Sequence, residues 1–109
     1  MTTKLEELVD KQAIRELQIN YSYAIDSGAY DELDNIFTRD AVADYGPAGL
    51  VEGVAGIKET CRHALEPLTA AQHLNTNHQA QINGDTATAT CYLHVHQHLD
   101  NTPGGDHLE

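Results

Sequence analysis

Asn83-Gly84 is a hairpin signal, because only residues that tolerate positive φ close a tight turn whose twist matches that of its strands. It joins two extended segments, 72–82 and 86–99, and so commits the last third of the chain to an antiparallel pair. The second segment is long for a strand, which predicts a curved or strongly twisted sheet. Along it Ala87, Ala89, Cys91, Leu93 and Val95 share one face, and Thr88, Thr90, Tyr92, His94, His96 and His98 share the other. An apolar strand face needs a cover, and here only helices can supply it.

The helices precede the hairpin. Thr3 with Glu6 three residues on spells a capping box, and apolar residues then recur at Leu5, Leu8, Val9, Ile14, Leu17, Tyr21, Ala24 and Ile25. This predicts one long amphipathic helix that stops at Asp26-Ser27-Gly28, where glycine takes the left-handed conformation common at helix ends. A shorter helix is expected over 30–37, burying Leu33, Ile36 and Phe37, with Asp31 and Glu32 in its first turn. Residues 41–45 read as a short strand closed by Gly46-Pro47-Ala48-Gly49, and Leu50 and Val51 as a second one. Helical spacing returns at Ile57, Cys61, Ala64, Leu65 and Leu68, with Pro67 marking the end. The tail from Asn101 to Asp106 reads as a turn, so the chain is expected to stop where another strand would begin.

With 109 residues and 11.9 kDa, the chain has room for one core and therefore one domain, 1–109. Six Lys+Arg against seventeen Asp+Glu give a net charge of −11, which repels phosphate backbones and anionic headgroups and argues against nucleic acid or a membrane as partner. No apolar leader opens the chain and no apolar run is long enough to span a bilayer, so a soluble cytoplasmic protein is expected. Cys61 and Cys91 have neither CxxC spacing nor company, and read as two small buried residues.

The order of long helix, short helix, strand, helix and long hairpin carries four local matches: YSYAID (21–26), LDNIFTRDAVADY (33–45), HLNTN (73–77) and GDTATATCY (84–92). Together they resemble the SnoaL-like branch of the nuclear transport factor 2-like superfamily, most of all its scytalone dehydratase and dehydrochlorinase type. The resemblance implies an α+β fold, a cone-shaped roll with the N-terminal helices packed on a curved, mostly antiparallel sheet around a pocket. It also implies a His–Asp dyad, with Asp26 at the end of the first helix and His73 opening the third strand. Tyr45 matches a tyrosine that such dehydratases use as an acid, and Tyr21 matches a tyrosine that ketosteroid isomerase carries on the first helix. Members usually continue for two further strands, so this domain is expected to be truncated before the last strands.

A neutral imidazole accepts a proton at physiological pH, and a carboxylate on its other nitrogen sets the tautomer and stabilises the imidazolium. His73 with Asp26 would then take a proton from carbon while Tyr21 or Tyr45 donates to the oxygen that gains charge. The expected activity is that of a cofactor-independent lyase or isomerase, dehydratase-like, acting on a small, largely apolar ring or carbonyl compound. Each residue also has an ordinary reading: Asp26 as a turn residue, His73 as a satisfied strand-end histidine, Tyr21 as a core aromatic and Tyr45 as a strand residue reaching water. An alternative function is a non-catalytic small-molecule-binding or oligomerisation module of the same fold. His94, His96 and His98 lie about 7 Å apart on one strand face, a spacing that can hold a metal. The helical first two-thirds and the lack of a nearby acidic ligand favour instead a solvated or subunit-contact face, so no metal or cofactor is assigned. A one-sided sheet implies a homodimer or homotrimer.

Overall fold

The computed structural model describes residues 3–102 and 105–108, with side chains through residue 99. Helix α1 (Lys4–Ser27) starts at Thr3, whose hydroxyl accepts the Glu6 N–H at 3.1 Å, and ends at Gly28 with φ 74°. A 3₁₀ helix (Tyr30–Asn35) follows, then the strand pair β1 (Val42–Asp44) and β2 (Leu50–Glu52), linked through a 3₁₀ turn at Gly46–Ala48. Helix α2 (Val54–Leu65) leads into β3 (Ala70–Asn83), β4 (Thr86–Thr102) and β5 (Gly105–Leu108). The order in the larger sheet is β3-β4-β5, and every pairing in both sheets is antiparallel.

Several boundaries differ from the sequence reading. The short helix is 3₁₀ and stops at Asn35. Helix α2 ends at Leu65, two residues before Pro67: Glu66 keeps helical dihedrals as the C-cap, and Pro67 has no N–H to extend the ladder. The hairpin turn is Gly84-Asp85, with Asn83 still paired to Thr86, and positive φ falls on glycine at the first central position, as in a II′ turn. A fifth strand forms where the chain was expected to stop short of one, pairing Leu108 with His98 and His107 with Leu99. Of the expected tail turn, Pro103-Gly104 lies outside the described residues.

The core forms where the second half of α1 meets the 3₁₀ helix and α2: Ala24, Ile25, Leu33, Ile57 and Cys61 are buried, with Tyr21, Tyr30 and Phe37 packed around them. Gly56 allows α2 to sit on β2, since a Cβ there would lie 2.8 Å from Val51 Cγ1. The apolar stripe of α1 is used over half its length. Leu5, Leu8 and Val9 stay 60–71% exposed, because no described element lies over the first turns. The expected apolar face of β4 is likewise only partly covered: Cys91 and Val95 are half-buried, whereas Ala87, Ala89 and Leu93 are exposed. Helix α1 runs along β3 and leaves β4 to one side. The radius of gyration is 16.1 Å, against about 13 Å for a compact globule of this length.

Strand β3 turns alternate residues toward α1: Ala71, His73 and Asn75, then His78, Ala80 and Ile82. Parity changes between them at a bulge, where the register to β4 slips between Thr76 and Gln79 and Asn77 adopts φ 54°.

Candidate active site

The last turn of α1 and the start of β3 meet at Asp26 and His73. One carboxylate oxygen of Asp26 accepts the His73 backbone N–H at 2.9 Å, and the other lies 2.5 Å from His73 Nδ1. A carboxylate can only accept, so Nδ1 carries the proton and Nε2 is left as the basic nitrogen. Nε2 has no hydrogen-bond partner among the described residues. The His73 side chain is only 8% exposed, and it lines a cavity of about 300 Å³ with Ser22, Asp26, Gln72 and Asn75. A carboxylate in the last turn faces the negative end of the helix dipole, at a cost of about 0.3–1 kcal/mol. Two hydrogen bonds to one residue of β3 offset that cost and fix the imidazole against the helix.

Tyr21 and Tyr45 come together elsewhere, around Cys61 of α2. Each hydroxyl lies 3.7 Å from the Cys61 thiol, and Tyr21 meets Phe37 edge-on with ring centroids 5.8 Å apart. Burial pushes the Tyr21 phenol well above its usual range, and the neighbouring Tyr45 hydroxyl and Cys61 thiol add to the effect. Tyr45 is raised too, chiefly by burial, while Tyr21 works against the shift. Both therefore remain protonated donors at neutral pH. Neither hydroxyl is hydrogen-bonded to His73 or Asp26, so the four expected residues form two pairs.

Asn75 stands between the pairs. It lines the His73 cavity and also an apolar chamber of about 360 Å³ walled by Ile14, Leu17, Tyr21, Ile36 and Phe37. The buried Ser22 hydroxyl donates to the Asn75 side-chain oxygen, and the Asn75 amide donates to Cys91 Sγ at 3.5 Å. Farther up α1, Gln18 accepts from His78 Nδ1 at 2.7 Å. Ser22, Asn75, Gln18, His78 and Cys61 went unassigned in the sequence. The polar residues 18, 22 and 26 recur every four positions on α1, and that spacing was the available signal.

On the outward face of β4, His94 and His96 are exposed with ring centroids 4.6 Å apart. Among the described residues no cluster of three or more His, Cys, Asp or Glu side chains could hold a metal. No described helix is long and apolar enough to cross a membrane.

The SnoaL-like domain profile matches residues 6–109. An uncharacterized protein of Mycobacterium tuberculosis strain H37Rv is 34% identical over 84 residues, which cover 76% of this chain and 57% of that protein. The chain thus spans little more than half the length of the curated relative it matches. Among solved structures, a candidate scytalone dehydratase of Novosphingobium aromaticivorans superposes with a TM-score of 0.80 at 22% identity, covering 94% of this chain and 68% of that one. A hexachlorocyclohexane dehydrochlorinase superposes at 0.67 with 16% identity, covering 97% and 84%. At these identities the likeness is one of fold.

Two outcomes test the geometry. Nitrogen-15 NMR will show His73 as the Nδ1-protonated tautomer, the minor form of free imidazole in water, and Asp26→Asn will shift it toward a mixture; an Nε2-protonated His73 in the wild type would contradict the contact. The unfolded chain releases phenol protons near pH 10.0, whereas folded Tyr21 holds its proton beyond that. Stability from this phenol is complete below about pH 10 and is lost as pH rises through the folded value. Urea midpoints at pH 9 and pH 11 will therefore fall less for Tyr21→Phe than for the wild type, and equal falls would refute the assignment.

Proposed function

The chain belongs to the SnoaL-like domain family, and from that premise we propose that it is a cofactor-independent lyase or isomerase of the dehydratase kind, with His73 as base and Asp26 as its orienting carboxylate. The observation that carries the reading is the two-point contact between Asp26 and His73. A lone strand-end histidine would be satisfied by one hydrogen bond. Here a carboxylate anchors both the backbone and the ring, and Nε2 is left without a partner among the described residues.

In this scheme Nε2 takes a proton from a carbon beside a carbonyl, or from one beta to a leaving group. Asp26 stabilises the imidazolium that results, as a nearby anion favours a cation. Tyr21 and Tyr45, kept protonated by burial, donate to the oxygen that gains charge. The substrate is a small, largely apolar ring or carbonyl compound, seated in the chamber of Ile14, Leu17, Tyr21, Ile36 and Phe37 and reaching His73 past the Asn75 amide. The names of the two structural neighbours, a dehydratase and a dehydrochlorinase, both describe eliminations, which the same base would serve.

The test is carbon–hydrogen exchange in D₂O against a panel of cyclic β-hydroxy ketones, followed by NMR. Exchange or elimination should fall about 10²–10⁴-fold in His73→Ala, the usual contribution of a positioned base. An equal rate in His73→Ala would remove the histidine from the mechanism.

A second reading, an association module, is favoured by the uncovered start of α1, where Leu5, Leu8 and Val9 are 60–71% exposed. Self-association as a homodimer or homotrimer would bury them. Sedimentation equilibrium should then give a multiple of 11.9 kDa that drops in Leu5→Ser/Leu8→Ser; a monomeric wild type would end this reading.

A further inference from the structure

One cleft contributes nothing to the chemistry above. Between α1 and the bulge of β3, Leu8, Lys11, Arg15, Gln18 and His78 line an open cleft of about 220 Å³, and no acidic side chain lines it. Cations are scarce in this chain, six against seventeen anions, and two of the six line this cleft. Arg15 has no carboxylate partner among the described residues. Among the described residues Lys11 has only an exposed pair with Glu7 at 3.1 Å, which a ligand anion can replace.

The bulge matters here. Continued alternation from His73 and Asn75 would turn residue 77 toward α1; the slip at Asn77 turns His78 inward instead, and Gln18 holds its Nδ1 at 2.7 Å. The bulge thus docks His78 on Gln18 beside an arginine and a lysine, in a cleft that no carboxylate lines. Ile14 and Gln18 wall both this cleft and the apolar chamber, so the two spaces adjoin along one helix face.

We propose that the ligand of the apolar chamber is an apolar body bearing a carboxylate, with the carboxylate held in the adjoining cleft by Arg15 and Lys11. This rests on reading the chamber as the ligand site. A guanidinium matches a carboxylate with two parallel hydrogen bonds. In a chain of net charge −11, a local cation pair offsets the repulsion an anion otherwise meets. A neutral ligand would leave the cleft without a use.

The experiment compares 4-phenylbutyrate with 4-phenyl-1-butanol, two probes that share a body and differ in the head, by chemical-shift titration of the full chain. The acid should bind at least about tenfold more tightly than the alcohol, and Arg15→Gln should abolish that advantage while leaving the alcohol's affinity unchanged. Lys11→Gln should reduce the advantage in part. If the alcohol binds as well as the acid, or Arg15→Gln leaves the preference intact, the head-group site is refuted and the chamber survives. If neither probe binds, the chamber falls with it, whereas the Asp26–His73 contact is judged separately by the tautomer of His73.

Discussion

Three polar contacts in a row hold α1 against β3, and the rest of the molecule takes its place from them. Asp26 meets His73, Ser22 meets Asn75, and Gln18 meets His78. One step of four residues along a helix advances about 6 Å, and one step of two residues along a strand about 6.6 Å, so an antiparallel helix and strand can stay in register for a step or two. The bulge at Asn77 lets the third contact form from His78. Partly buried polar pairs of this kind are directional, and a one-residue slide of the helix would leave several groups without partners.

That register divides α1 into working faces. The polar row lies on β3, and the residues to one side of it, Ile14, Leu17 and Tyr21, become the wall of an apolar chamber. Tyr21 also reaches the Cys61 thiol that Tyr45 approaches from the end of β1, and burial raises both phenols so that they stay protonated. Asn75, held by Ser22, is the one residue of the row that borders both the chamber and the His73 cavity. His73 and Tyr21 therefore face two different spaces that share the Asn75 side chain as a common wall.

Much of this was legible before any coordinates. The capping box at Thr3, the stop at Gly28 and the hairpin signal at Asn83-Gly84 act within a few residues of themselves, and all three mark real element ends. Asp26 and His73 were legible through their place in the SnoaL-like motifs. Other elements were misjudged where tertiary context decides. Leu5, Leu8 and Val9 fit the helical stripe, yet periodicity reports only which face could be buried, and no described element covers that part of the face. Parity along β4 likewise predicted a packed face that α1, lying over β3, covers only in part.

The sequence by itself determined the elements up to the end of β4, the two turns that join or end them, and the residue types able to move a proton, because those depend on backbone propensity and side-chain chemistry at single positions. Only the tertiary structure decided that Asp26 grips His73 at two points, that Tyr21 and Tyr45 converge on Cys61 and not on the histidine, and that His78 turns into a cleft with Arg15. These pairings span separations of 16 to 60 residues. They rest on the helix-to-strand register and on one bulge, neither of which has a signature in local periodicity.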